Sequence, residues 1–148
     1  MAEVSGKPLL VLAMGDPAGI SSELTAKVIM DTEVRAAADL IVIGDRRQLA
    51  EGERIAGLET DIEIWRPGTN APGGRPLFVD LAHLAPGEVP RGESHQKGGR
   101  YALRNFRTAL RLGTAGVVDA VTFTPFNKLA MRMELPSYDD EIEVISEE

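Results

Sequence analysis

Two short segments hold most of the side chains whose types and spacing could do chemistry. The first is Gly15-Asp16-Pro17-Ala18-Gly19, at the end of the apolar run Pro8 to Met14. Glycines let a backbone turn sharply and approach a ligand, and a helix starting behind them would aim free N–H groups at an anion. The second is Thr122-Phe123-Thr124-Pro125-Phe126-Asn127-Lys128, at the end of another apolar run. Lys128 could hold a phosphate or carboxylate as a point charge, while Asn127 orients a hydroxyl. Structural roles compete at both places. Asp16 can bond to the backbone of a strand-to-helix turn, Asn127 can cap the next helix, and Lys128 can be merely solvated. GxGxxG and GxxxxGK[ST] are both absent, which argues against a dinucleotide fingerprint and against a triphosphate-binding transferase.

The remaining polar candidates carry less. His83 and His95 are the only histidines, both fall in predicted loops, and no HExxH spacing accompanies them, so they read as surface residues. Arg100, Arg104, Arg107 and Arg111 could form a phosphate-binding face, but their spacing is that of a helix's solvent side, which is the reading adopted. Trp65 reads as packing.

The elements that must position these residues alternate between two periods. Pro8 to Met14 reads as a strand buried on both faces, and from Ile20 the residues Ile20, Leu24 and Val28 mark one face of a helix, with Ser21 or Ser22 as N-cap. Leu40 to Ile43 is a second strand, and Arg46 to Ala56 a helix stopped by Gly57. Ile62 to Trp65 and Leu77 to Val79 are brief strands separated by the Pro- and Gly-rich loop Arg66 to Arg75. Ala102, Phe106, Ala109, Leu110 and Gly113 share one face of a helix from Gly99 to Gly113. Val117 to Phe123 reads as another buried strand, and Asn127 to Met133 begins a helix. Strands alternating with helices imply an α/β fold with a largely parallel sheet flanked by helices.

The bulk properties exclude several classes. With 148 residues, 43% hydrophobic and 26% charged, the chain has the size and composition of one ordinary globular domain. No run reaches the roughly 18 apolar residues of a membrane span, and the N-terminus lacks the pattern of a secretory signal. Cysteine is absent, which removes disulfides and thiolate sites and fits a cytoplasmic protein. The net charge of -7 argues against nucleic acid as a partner, although much of it lies in the acidic run Asp139 to Glu148, read as a solvated tail.

Taken together, the motifs resemble the N-terminal part of the 4-hydroxythreonine-4-phosphate dehydrogenase family. Met14 to Glu23 reads MGDPAGISSE where that family has a pattern close to GDPAGIGPE, and Gly116 to Lys128 reads GVVDAVTFTPFNK where it has G-x-V-D-A-[IV]-V-T-x-P-[IV]-x-K. The resemblance runs from about Pro8 to Pro136. It implies an incomplete fold similar to isocitrate and isopropylmalate dehydrogenases, with residues 1–136 as an N-terminal α/β part and 137–148 as an acidic tail or the start of a further half. It also implies an NAD-dependent oxidation of a secondary alcohol on a small phosphorylated or carboxylated hydroxy acid. A divalent metal, often zinc, assists as a Lewis acid in such enzymes, and the active site is shared across a homodimer.

Two departures qualify what the resemblance implies. Family members are much longer, and their metal-binding histidines lie downstream of the lysine motif, so the isolated chain is expected to hold no metal or NAD and to lack activity. The family's Gly-His-Thr-Glu, whose His and Thr contact substrate, aligns so that Asp140 and Glu141 take those two positions. A carboxylate there would repel an anionic group, which points to another substrate, such as a phosphorylated sugar acid or a cyclic diol. The expected substrate site is thus Asn127, Lys128, Asp140 and Glu141, in a cleft lined by Gly15, Asp16, Gly19 and Thr124. The alternative is a non-catalytic α/β module that binds anions or dimerises.

Overall fold

In the computed structural model, residues 6–70 and 74–147 are described; the expected loop positions 71–73 and the terminal Glu148 lie outside them. Strand β1 (Leu9–Ala13) leads into α1 (Ser21–Met30) and the short α2 (Thr32–Ala37), then β2 (Asp39–Gly44) and α3 (Arg46–Ala56). Strands β3 (Glu63–Ile64) and β4 (Leu77–Asp80) precede the long α4 (Gln96–Thr114). The chain then runs through β5 (Ala120–Phe123), α5 (Lys128–Glu134) and α6 (Glu141–Glu147).

The five strands form one sheet in the order β3-β4-β2-β1-β5, and every pairing is parallel. Parallel strands covered by helices on both faces must be apolar throughout, which is why PLLVLAM and LIVI show no alternation. Val11, Ala13, Ile41 and Ile43 pack on one face with Trp65, Ala109 and Val118. Leu12, Met14 and Val42 pack on the other with Ala26, Ile29 and Leu49. The sheet therefore carries the core on both sides, and the α/β reading of the sequence holds.

Several local expectations change. The buried face of α1 is Ser21, Ser22, Thr25, Ala26 and Ile29, while Ile20 is 56% exposed. Close helix approach is the reason. A side chain at Gly52 of α3 would overlap the Ser22 carbonyl, so α1 must present small residues there. Ile20, not a serine, occupies the N-cap position, and no side chain caps the helix. The sequence reading also passes over α2, which Asp31 starts by accepting from the amides of Glu33 and Val34 at 2.9 Å.

Strand β5 is not buried on both faces. It is the outermost strand on its side of the sheet, bonded only to β1, and Phe123 is 41% exposed. The acidic C-terminal run is not a solvated tail over its described length. Residues Glu141–Glu147 form α6, with Val144 fully buried beside Tyr138, Phe106 and Leu110.

Candidate functional site

Strand order decides where a ligand crevice can lie. Chain connections from β1 run toward β2 and β4 on one side, whereas β5 returns to the other side of β1, so the order reverses between β1 and β5. In open parallel sheets this switch point, beyond the carboxyl ends of the strands, is where ligands bind. Both sequence motifs sit there, Gly15 to Gly19 after β1 and Thr124 to Lys128 after β5.

The two segments are joined through their backbones. The Gly15 amide donates to Thr124 Oγ1 at 2.9 Å, the Asp16 amide donates to the Pro125 carbonyl at 2.9 Å, and Ser21 Oγ donates to the same carbonyl at 2.8 Å. A Cβ at Gly15 would overlap the carbonyl oxygens of Thr124 and Pro125, so this crossing requires glycine. Thr124 is buried, and its own amide continues the ladder to Ala13. Among the expected residues, Gly15, Asp16, Gly19, Thr124, Asn127 and Lys128 thus lie on two segments that meet at the ends of β1 and β5.

Their individual roles differ. Asp16 Oδ1 accepts from the Ala18 amide at 3.0 Å and tightens the turn. The β4–α4 loop closes over that turn, with the Gly92 amide donating to the Ala18 carbonyl at 2.8 Å. Asn127 caps α5 by accepting from the Ala130 amide at 3.1 Å, and its Nδ2 donates to Ser94 Oγ at 2.9 Å. Its amide is thereby oriented from both ends. Lys128, in the first turn of α5, is exposed and enters no hydrogen bond or ion pair among the described residues. The sequence reading missed Ser21 as a strut, since hydroxyls beside a helix start read first as caps, and Ser94 carried no signal.

Asp140 and Glu141 belong to a different local arrangement. Asp140 Oδ1 accepts from the amides of Ile142 and Glu143 at the start of α6, and Glu141 accepts from the Tyr138 hydroxyl at 2.8 Å. Burial and then this carboxylate push the Tyr138 hydroxyl's pKa up. No hydrogen bond or ion pair among the described residues links this pair to Lys128 or Thr124.

The histidines also separate. His95 caps α4, its Nδ1 accepting from the Lys97 amide at 3.1 Å. His83 is not a free surface residue: its ring stacks on Tyr101 with centroids 4.7 Å apart, and neither ring nitrogen has a partner or access to solvent. Burial, and then the Arg104 charge, lower its pKa.

At the strand ends the donor set is two hydroxyls, amides, one carboxylate and an ammonium, which does not fit a divalent metal. Among the described residues no group of three or more His, Asp or Glu side chains is placed to hold one. No described helix is long and apolar enough to cross a membrane.

A parallel α/β sheet flanked by helices, with its order reversing at β1, is the dehydrogenase-like fold, and the solved structures agree. A 4-hydroxythreonine-4-phosphate dehydrogenase from Burkholderia phymatum superposes with a TM-score of 0.85 at 26% identity, over 95% of this chain and 43% of that one. The family described as "Pyridoxal phosphate biosynthetic protein PdxA" matches residues 36–148, and the chain belongs to it. The Rhizobium meliloti protein "Putative 4-hydroxythreonine-4-phosphate dehydrogenase 2" is 54% identical over 143 residues, 95% of this chain and 41% of that protein. A D-threonate 4-phosphate dehydrogenase from Bordetella bronchiseptica is 32% identical over 95% of this chain and 41% of its own length. The chain thus spans less than half the length of these relatives.

Proposed function

We propose that this chain forms the N-terminal α/β part of an NAD- and divalent-metal-dependent dehydrogenase acting in the cytoplasm as a homodimer. Its substrate would be a small phosphorylated or carboxylated hydroxy acid, whose secondary alcohol loses a hydride to NAD and a proton to solvent. The metal, zinc in the first place, and NAD belong to the complete enzyme. The residues here take the substrate's anionic group. One observation carries the reading: in a member of this family, the ammonium of Lys128, unpaired among the described residues, stands at the switch point next to Asn127, whose amide is held in place by Ser94 and the α5 backbone. Such a cation meets a phosphate without first breaking an ion pair.

Asp140 and Glu141 are proposed as the specificity position, facing away from a substrate's anionic end. Relatives named for two phosphorylated substrates, 4-hydroxythreonine 4-phosphate and D-threonate 4-phosphate, fit an enzyme whose phosphate grip is constant and whose other contacts vary. Calorimetric titration of the chain with D-threonate 4-phosphate tests this. Binding that the Lys128→Met variant loses supports the proposal, and equal affinity in both proteins overturns it. No NADH should form with zinc, NAD and the isolated chain.

A second reading, a binding or dimerisation module, is favoured by the exposed apolar residues Val117 before β5, Phe123 at its end, and Leu129 and Met133 on α5. Sedimentation of the chain separates it: this reading requires a dimer that Phe123→Ser disperses.

A further inference from the structure

The side of α4 that carries the arginines is not simply a solvated face. Between its N-terminal half and the loop after β4 lies a cavity of about 190 Å³, lined by His83, Glu88, Lys97, Arg100, Tyr101 and Arg104. A second cleft of about 280 Å³ continues along the helix and shares Arg100 and Arg104 with it. Neither is lined by a residue of Gly15 to Gly19 or of Thr124 to Lys128.

We propose that this cavity is a phosphate-binding site, in which His83 and Arg104 clamp the phosphate of a small phosphomonoester while the adjoining cleft accommodates its organic part. Charge accounting supports it. Lys97 is offset by Glu88 at 3.3 Å and Arg100 by Glu134 at 3.0 Å. Arg104 has no ion pair among the described residues, which leaves an uncompensated guanidinium facing the cavity. The unpartnered nitrogens of His83 supply the other half. Polar atoms withdrawn from solvent nearly always have a partner, and an orphan pair beside a cation marks the place of an absent acceptor.

His83 is also held in position from several sides. Ala82 adopts the left-handed region at φ 47°, which residues with a side chain rarely occupy. The Ala82 amide donates to Asp80 Oδ1 at 2.9 Å, and the Leu84 amide to Asp45 Oδ2 at 2.9 Å. A strained residue on one side of the imidazole and an anchored amide on the other hold the ring in place, as preorganisation of a ligand contact requires. The charged groups that act on the ring are Arg104 from α4, Asp80 from the end of β4 and Asp45 from the start of α3. A bound phosphate would add an acceptor and a negative charge, favouring the imidazolium.

The chain has only His83 and His95, so their imidazole signals can be followed separately by NMR. Titration with inorganic phosphate, and in parallel with glycerol phosphate, should shift the His83 signals saturably and raise the pH of its titration, leaving His95 unmoved. Arg104→Gln should weaken phosphate binding by about tenfold or more. Lys128→Met should leave His83's response intact, so failure of this site and failure of the crevice reading are distinguishable. A His83 titration unmoved by saturating phosphate, or an unchanged phosphate Kd in a folded Arg104→Gln variant, overturns the proposal.

Discussion

Gly15 and Thr124 lie 109 residues apart in the chain and are joined by a 2.9 Å hydrogen bond from the Gly15 amide to the Thr124 hydroxyl. This contact locks the ends of β1 and β5 together at the one place where the sheet order reverses. It also explains two residue choices at once, since the same crossing leaves no room for a Cβ on Gly15.

Gly15→Ala should therefore destabilise the fold by about 3 kcal/mol, the upper end of ordinary overpacking, because the new atom meets backbone on both sides. Thr124→Val should cost about 2 kcal/mol by leaving a buried N–H without an acceptor, whereas Thr124→Ser keeps the oxygen and should cost less. Urea unfolding of the three variants checks the order.

Asp45 ties the start of α3 to the loop that carries His83. Its carboxylate accepts from the Arg47 amide and guanidinium and from the Leu84 amide, all within 3.0 Å. Burial acts to raise its pKa, but these donors together outweigh burial and hold it below its ordinary 3.8. A depressed carboxylate stabilises the fold above its unfolded value, and that contribution fades as pH falls from about 3.8 through the folded value. Asp45→Asn should cost about 2 kcal/mol at neutral pH and should flatten the acid limb of the stability curve. An acid limb of unchanged steepness would contradict the assignment.

His83 acts in the same direction, in a higher pH window. Its folded pKa lies below the ordinary 6.5, so the unfolded chain takes up its proton first and stability falls as pH drops below about 6.5. His83→Phe, which keeps a ring on Tyr101, should remove that part of the pH dependence. Thermal unfolding between neutral and mildly acid pH, in the absence of phosphate, measures it.

Lys128 and Asn127 should separate binding from stability. Lys128 is exposed, so Lys128→Met should change the melting temperature little while removing the binding at the ends of β1 and β5, leaving only the binding that His83 reports. Asn127→Ala removes the α5 cap and the link to Ser94 and should cost about 1 kcal/mol as well as affinity. Differential scanning calorimetry beside the substrate titration distinguishes the two patterns.

The elements legible beforehand were those whose pattern is set by local chemistry. Arg46 to Ala56 is a helix with Asp45 as cap and Gly57 in the left-handed region, because start and stop signals are local. The face of α1 was not legible, since Ser22 and Thr25 are buried there only because Gly52 brings α3 close. The depth of β5 was equally hidden: VVDAVTF has the composition of a central strand, and only the sheet order makes it an edge. For the site, glycine spacing and residue type picked out both segments. The arginines lie on the solvent side of α4, as their spacing implies, but His83 is not a surface residue, because loop composition cannot reveal what another element packs against it.

By itself the sequence determined the parallel α/β class, the order of the elements other than α2 and α6, and the two motifs, because apolar runs, periodicity and turn residues act over a few neighbouring positions. Only the tertiary structure decided that Gly15 meets Thr124, that β5 stands at the edge, and that His83 lies buried against Tyr101 beside Arg104. Those are contacts between residues far apart in the chain. They depend on strand order and helix separation, which no single segment encodes.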